Sequence, residues 1–199
     1  MTSPTSPRRV VVIGAGAAGT MAAIFAASGG AETLLLERTA EGGKKILISG
    51  GGRCNVLPMR LDESRFITAS SPNVMRKMIR SWPLAEQVAF FEQELGIPLV
   101  EERESSKLFP ASHRARDVRD GLLACAAARG ATLVPNTTVT GVTPDAGRWR
   151  IERERGDAII ADAVIIATGG LSVPNTGSDG FGLRLLAGLG HEMHASYPA

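Results

Sequence analysis

The sequence is poor in three features that would each point to a particular class of protein. Cys54 and Cys125 are its only cysteines, too few for a disulfide framework or a structural zinc site and typical of a reducing cytoplasm. It has no run of about 18 apolar residues and no signal peptide, so no transmembrane helix is expected. The net charge is only +2, which argues against a nucleic-acid or acidic-membrane partner. We therefore predict a cytoplasmic protein without a nucleic-acid or membrane partner.

The composition is that of a folded protein. Apolar residues make up 44% and charged residues 21% of the 199 residues, which is ordinary for a globular chain and allows a real hydrophobic core. Residues 1–7 are rich in Ser, Thr and Pro and predict a flexible leader. The remaining residues, 8–199, are predicted to form one domain.

The first forty residues have the pattern of a β-α-β unit. Val10–Ile13 and Thr33–Leu36 are apolar runs typical of strands buried in a parallel sheet. Between them, Ala17–Ala27 predicts an Ala-rich helix that ends at Gly29-Gly30. A further buried strand is predicted at Val164–Ala167. These elements predict an α/β fold of the Rossmann type.

The middle of the chain predicts a helical excursion and an antiparallel β-meander. Pro72–Leu95 has helical spacing and is expected to break at Trp82-Pro83. The turn signals at residues 145–147 and 155–157 separate three short strands and predict the meander. The remaining predicted elements are a helix at Ala115–Arg129, strands at Thr132–Val134, Val139–Val142, Arg148–Glu154 and Ala158–Ile160, a turn at Phe109-Pro110 and a helix at Leu183–Leu189.

A glycine pattern lies where the first strand meets the first helix. Gly14, Gly16 and Gly19 match G-x-G-x-x-G, the dinucleotide-binding pattern. The first glycine permits a tight turn, the second lets the backbone approach a pyrophosphate, and the third lets helix and strand pack closely. The helix N-terminus then presents N–H groups to the phosphates. The alternative is a Gly-rich turn that binds nothing.

An acidic residue closes the second strand. Glu37 follows Leu36, and a carboxylate at this position accepts hydrogen bonds from the hydroxyls of an adenosine ribose. It would repel a 2′-phosphate, although the adjacent Arg38 weakens that argument. The alternative is a solvated acid at a strand end.

A basic, Gly-rich loop follows, at residues 41–55. Successive N–H groups in such a loop can form an anion-binding nest, and Lys44, Lys45 and Arg53 add charge. A nicotinamide-binding domain would continue with another β-α-β repeat, whereas this chain continues into the basic loop. The later meander, which returns to the buried sheet at residues 166–170, is typical of two-dinucleotide flavoprotein folds. The loop and the meander together favour FAD over NAD. A solvated basic turn is the alternative.

The chain resembles the BaiN/YhiN-like family of bacterial FAD-dependent oxidoreductases, also described as an aminoacetone-oxidase-like FAD-binding family. The most specific part of the resemblance is the run Ser49-Gly-Gly-Gly-Arg-Cys-Asn55. The other segments stand in the same order as in the family: Val12–Gly19, Leu34–Arg38, Lys44–Ile48, Lys107–Pro110, Ala167–Ser172 and Thr176–Gly180.

The resemblance implies bound FAD and redox chemistry on a small-molecule substrate. NAD(P)H is a candidate reductant, and no catalytic residue is assigned. Val139 would contact the adenine through its backbone. Family members are longer and close over the flavin with a C-terminal segment, so we expect this chain to be a fragment that retains FAD weakly. Together, the motifs and the resemblance nominate Gly14, Gly16, Ala18, Gly19, Glu37, Arg38, Lys44, Lys45, Ser49, Gly50, Gly51, Arg53, Cys54, Asn55, Val139, Thr168, Gly169 and Gly170 as cofactor-binding residues.

Several weaker alternatives stay open. A lowered thiol pKa is conceivable for Cys54 beside Arg53, but a structural role is favoured. His191 and His194 have a ligand-like spacing on a short tail, and we predict no metal site. The alternative functions are an NAD-dependent dehydrogenase, a non-catalytic FAD-binding fragment and an RNA-modifying flavoprotein. The modest charge disfavours the last of these.

Overall fold

The computed structural model describes residues 7–68, 71–172 and 177–194. The chain divides into two compact units, one comprising Met1–Ile46 and Leu122–Ala199 and the other Leu47–Gly121. The assignment of residues 8–199 to one FAD-binding domain stays a prediction. The predicted leader lies almost entirely outside the described residues.

A β-α-β unit opens the described chain, helices dominate its middle, and five consecutive strands precede the last helix. The strands are β1 (Arg9–Ile13), β2 (Glu32–Leu36), β3 (Leu57–Pro58), β4 (Leu99–Glu102), β5 (Lys107–Pro110), β6 (Thr132–Val134), β7 (Val139–Asp145), β8 (Arg148–Arg153), β9 (Ile159–Ala161) and β10 (Ala163–Ile166). The helices are α1 (Ala17–Ser28), α2 (Lys44–Ile48), α3 (Pro72–Arg80), α4 (Leu84–Ala89), α5 (Ala115–Ala128) and α6 (Phe181–Gly188), with short 3₁₀ turns at Ser49–Gly52 and Glu63–Arg65 and a π turn at Phe90–Glu94.

The larger unit is built on a four-stranded parallel sheet in the order β10-β1-β2-β6. The predicted β-α-β unit is confirmed, with Val12 of β1 paired between Leu35 and Ile165. The chain moves outward from β1 through β2 to β6 and returns on the other side of β1 at β10. The carboxyl ends of β1 and β10 therefore form a topological switch point, where open α/β sheets bind their ligands.

The predicted meander is also confirmed. β7, β8 and β9 form an antiparallel sheet in sequence order. Its buried residues, among them Val142 and Ile151, pack with Val11 and Leu36 of the parallel sheet in one apolar cluster. Ile151 is fully buried. This cluster covers one face of the parallel sheet and fixes the strands that carry the glycine turn.

The prediction that Val164–Ala167 is fully buried is wrong. β10 lies at the edge of the sheet, and burial alternates along it. Val164 and Ile166 pack on the apolar cluster, whereas Ile165 is 37% exposed. The apolar run predicted the strand correctly, but it could not show that only one face of it is covered.

The smaller unit combines the predicted helices with a sheet that was not predicted. The helical stretch breaks at Trp82-Pro83 as expected, into α3 and α4. β3, β5 and β4 form a short antiparallel sheet. The predicted turn at Phe109-Pro110 is wrong, because both residues are buried in β5.

Candidate functional site

The glycine turn after β1 is closely packed at two of its three glycines. Gly14 has a φ of +104°, and a Cβ added there would lie 2.7 Å from the carbonyl oxygen of Ala167, after β10. A Cβ on Gly19 would lie 1.8 Å from the carbonyl oxygen of Gly14. Both positions therefore exclude every side chain, as predicted for the first and third glycines of the pattern.

The middle glycine is different. Gly16 is the N-cap of α1 with an ordinary φ of −79°, and an added Cβ would meet no atom within 4 Å. Packing within the described residues therefore leaves Gly16 unexplained, whereas a ligand backed against the turn would fill that space. The first turn of α1 carries no acidic side chain, and Ala17 and Ala18 are exposed. The positive end of the helix thus faces open space, which suits a phosphate.

Glu37 brings its carboxylate to the same turn. It is buried, and its Oε2 accepts a hydrogen bond of 2.8 Å from the Ala15 N–H. Its Oε1 accepts bonds of 2.9 Å and 2.7 Å from the N–H and hydroxyl of Thr39. A carboxylate has about four lone-pair sites, so this one is oriented and still has room for a ribose hydroxyl. Thr39 was missed from the sequence, although a Thr two residues after an acid is a common local partner.

Arg38, which follows β2, and Lys45 of α2 both bind the segment after β10. Nη1 of Arg38 lies 2.8 Å from Oδ2 of Asp179. Nζ of Lys45 donates to Ser178 Oγ at 2.6 Å and to Ser172 Oγ at 3.0 Å. The Arg38 guanidinium and the Phe181 N–H stabilise the ionised carboxylate and hold the pKa of Asp179 below its usual value. Ser178 and Asp179 were not nominated, although both lie in the Thr176–Gly180 motif.

Thr168 and Gly169 follow β10 and pack against the residues around α6. A Cβ on Gly169, whose φ is +76°, would lie 2.5 Å from Ser178 Oγ. A Cβ on Gly182 would lie 2.3 Å from Thr168 Oγ1. Gly170 accepts a hydrogen bond from the Gly180 N–H. β10 therefore places Ala167 and Thr168 beside Gly14, at the switch point.

Val139 begins β7 near the end of β2. Its side chain is buried in the apolar cluster. Two residues earlier, the Thr137 N–H donates to the Glu37 carbonyl at 2.8 Å. Its predicted backbone contact with adenine stays a prediction.

The loop Ser49–Asn55 lies in the smaller unit. Gly50 and Gly51 have left-handed φ values of 55° and 68°, and a Cβ on Gly50 would lie 2.8 Å from the Phe109 ring. The Cys54 N–H donates to the Ser49 carbonyl at 3.0 Å, which closes the turn. The role of this loop in cofactor binding stays a prediction.

Arg53 is engaged within the smaller unit. Its Nη1 lies 2.5 Å from Glu102 Oε1, and its guanidinium stacks 4.5 Å above the Phe109 ring centroid. Glu102 therefore balances the charge of Arg53, and this pairing was not predicted from the sequence. Lys44 and Asn55 are exposed. Burial raises the pKa of the Cys54 thiol, which supports the structural role over the reactive one.

The described residues contain neither a metal-ligand cluster nor a membrane-spanning helix. Within residues 7–68, 71–172 and 177–194, no group of three or more His, Cys, Asp and Glu side chains is placed to bind a metal ion. None of the helices in these ranges is long and apolar enough to cross a membrane.

A parallel sheet with this glycine turn, helix N-terminus and strand-end carboxylate defines a Rossmann-type dinucleotide-binding protein. Residues 8–196 match the family model described as the HI0933-like protein Rossmann domain. The chain belongs to this family, and the resemblance to BaiN/YhiN-like proteins is confirmed. The prediction of an FAD-binding, oxidoreductase-like Rossmann fold is confirmed with it.

Relatives with curated names are about twice as long as this chain. It is 32% identical over 197 residues to the 3-dehydro-bile acid delta(4,6)-reductase of Clostridium scindens, covering 96% of this chain and 46% of the relative. It is 27% identical to the ribosomal RNA dihydrouridine synthase of Escherichia coli, covering 90% and 44%. Among solved structures, Thermovibrio ammonificans THI4 matches with a TM-score of 0.53 and 17% identity, covering 85% of this chain and 61% of that one, which supports the fold alone.

Proposed function

We propose that this chain is the FAD-binding part of an oxidoreductase that reduces a carbon–carbon double bond conjugated to a carbonyl group. The observation that carries the cofactor assignment is the open space at Gly16, at the N-terminus of α1 and beside the switch point. A pyrophosphate backed against the turn would occupy the space that a side chain at Gly16 would fill. An extended dinucleotide suits this position because its pyrophosphate meets the helix while its ribose reaches the end of β2.

Different residues of the larger unit bind different parts of FAD. The N–H groups at the start of α1 bind the pyrophosphate, and Lys45 adds a positive charge held in place by Ser172 and Ser178. Glu37 accepts hydrogen bonds from the adenosine ribose, since its carboxylate is already oriented by Ala15 and Thr39. When bound, FAD supplies the hydride chemistry. The chain supplies position and charge.

The reaction class rests on the names of the relatives. The name of the 3-dehydro-bile acid delta(4,6)-reductase describes the reduction of a substrate with a ketone at position 3 and double bonds at positions 4 and 6. A dihydrouridine synthase yields a uracil ring that has lost one double bond. Reducing one such double bond adds two electrons and two protons, and in both molecules the double bond is conjugated to a carbonyl group. We extend this class to the present protein, with a small-molecule substrate and NAD(P)H as the reductant.

A second candidate is an RNA substrate. α3 carries Arg76, Lys77 and Arg80 and no acidic residue, and its Val74 and Met78 are exposed. Glu63 pairs with both arginines, so this surface carries less positive charge than the helix sequence alone suggests. Basic residues interleaved with exposed apolar ones are nevertheless a feature of RNA-binding surfaces. The absence of a nucleic-acid partner therefore stays a prediction, and steeply salt-dependent binding of ribosomal RNA fragments would refute it.

Flavin content of a matched pair of variants tests the cofactor assignment. Gly16→Val should abolish FAD binding without unfolding the chain, because the new side chain fills the pyrophosphate space. Gly188→Val is the control, since a Cβ there also meets no atom within 4 Å. Binding is read from the absorbance of flavin near about 450 nm, which NAD lacks. Equal FAD affinity in the two folded variants would refute the proposal, and a preference for NAD would favour the dehydrogenase.

Turnover separates an enzyme from a non-catalytic fragment. With FAD and NADPH supplied, loss of NADPH absorbance on addition of a cyclic enone supports the reductase. Loss that proceeds only with oxygen, and at the same rate without the enone, would contradict it.

A further inference from the structure

We propose that Asp179 is a specificity-determining residue that neutralises Arg38 and so keeps the adenosine end of the site selective against nucleotides with a 2′-phosphate. This inference rests on the proposed function, because it concerns the ribose subsite next to Glu37.

Arg38 lies where a 2′-phosphate would be recognised. In Rossmann folds, an acid at the end of the second strand binds the 2′-hydroxyl, and an arginine nearby accommodates a 2′-phosphate. This chain has both, as Glu37 and Arg38. From sequence alone, the two residues therefore make opposite predictions about the ligand.

The structure resolves this conflict by giving Arg38 a partner of its own. Its Nη1 lies 2.8 Å from Asp179 Oδ2, and its guanidinium lies against Gly177, where an added Cβ would be 3.1 Å from Nη2. Asp179 is itself oriented, because its Oδ1 accepts a bond of 3.0 Å from the Phe181 N–H at the start of α6. An arginine held against a carboxylate presents no net charge to a phosphate.

Lys45 provides a contrast within the same unit. Its described hydrogen-bond partners, Ser172 and Ser178, are neutral hydroxyls. Its charge is therefore oriented but not cancelled. The charge of Lys45 can thus attract the phosphates that all adenine dinucleotides share, whereas the charge of Arg38, beside the ribose, is neutralised. Glu37, buried and acidic, adds a further repulsion of a 2′-phosphate.

The ion pair can be removed without disturbing the core. The side chains of Arg38 and Asp179 are 37% and 40% exposed, and exposed pairs add little to stability. Asp179→Asn keeps the size and the acceptor for Phe181 while it removes the charge that occupies Arg38. The variant is therefore expected to fold like the wild type.

The test is competition against bound FAD by two probes, ADP-ribose and its 2′-phosphorylated form. The wild type should prefer ADP-ribose. Asp179→Asn should raise the relative affinity for the 2′-phosphorylated probe by about tenfold, the effect of one charge-assisted contact. Arg38→Gln added to Asp179→Asn should remove that gain. Glu152→Gln is the charge-matched control, because it breaks an exposed pair with Arg150 on β8, and it should leave the preference unchanged.

The outcomes distinguish this inference from the proposed function. If the wild type binds FAD and ADP-ribose but Asp179→Asn leaves the ratio of affinities unchanged, the inference is wrong and the cofactor site stands. A gain that persists in the double variant also overturns it, since Arg38 would not be responsible. If neither FAD nor ADP-ribose binds the wild type, the proposed function fails and the inference fails with it.

Discussion

Replacing Glu37 with glutamine should damage both the fold of the glycine turn and the binding of FAD. Both carboxylate oxygens accept hydrogen bonds, one from the Ala15 N–H and one from Thr39. A glutamine has one accepting oxygen, so its NH₂ group must face one of these donors. The cost of one such buried mismatch is about 1–3 kcal/mol in the free energy of unfolding.

The loss of charge adds an effect on the cofactor. A ribose hydroxyl that donates to a carboxylate gains about 1.5–3 kcal/mol, so FAD should bind roughly 10–100-fold more weakly. Thr39→Val is the matched control, because it removes one partner of Glu37 and keeps its charge. It should lower stability and leave most of the FAD affinity.

Two assays on the same samples separate the effects. Urea unfolding without FAD measures the free energy of unfolding and so the effect on the glycine turn. Quenching of flavin fluorescence measures the affinity for FAD. If Glu37→Gln leaves both the free energy of unfolding and the dissociation constant unchanged, our account of Glu37 is refuted. A loss of stability with unchanged FAD affinity would refute the ribose contact alone.

Two further predictions concern the frame of the site. Gly19→Ala should lower the free energy of unfolding by about 1–3 kcal/mol or more, because its Cβ would lie 1.8 Å from the Gly14 carbonyl oxygen. Gly188→Ala is the control, because a Cβ there meets no atom within 4 Å. Equal stability of the two variants would contradict the close packing of Gly19 against Gly14. The Arg9 N–H and Arg148 hold the pKa of Asp162 below its usual value, so its stabilising effect should be present above about pH 4 and lost as the pH falls through the lowered value. The free energy of unfolding of the wild type and of Asp162→Asn should be measured at several pH values. The difference between the two should become smaller as the pH falls, and a difference that does not change with pH would contradict the prediction.

Local patterns predicted most of the fold. The strands around Gly14 and the meander are indicated by apolar runs and turn residues that lie within a few residues of one another along the chain. β4 and β5 were missed because both are short and contain charged residues, such as Glu101 and Lys107, that interrupt an apolar run. The exposure of Ile165 was missed for a related reason, since a strand's own sequence does not show whether one face stays open.

The candidate site was predicted less completely than the fold. The glycines and Glu37 follow directly from a motif whose spacing has a mechanical reason. The partners of Arg38 and Lys45 lie more than a hundred residues away along the chain. No local periodicity connects Arg38 with Asp179. These residues become neighbours because β10 returns to the sheet beside β1, which is a property of the topology and not of the local sequence.

Hydrogen–deuterium exchange of the chain with and without FAD tests the central claim most directly, because it locates the cofactor on the backbone. The account predicts slower exchange at residues 14–19, where the N–H groups of the glycine turn and of the first turn of α1 meet the pyrophosphate. It also predicts slower exchange at residues 37–39, next to the ribose. FAD that binds but leaves exchange at residues 14–19 unchanged would contradict the account.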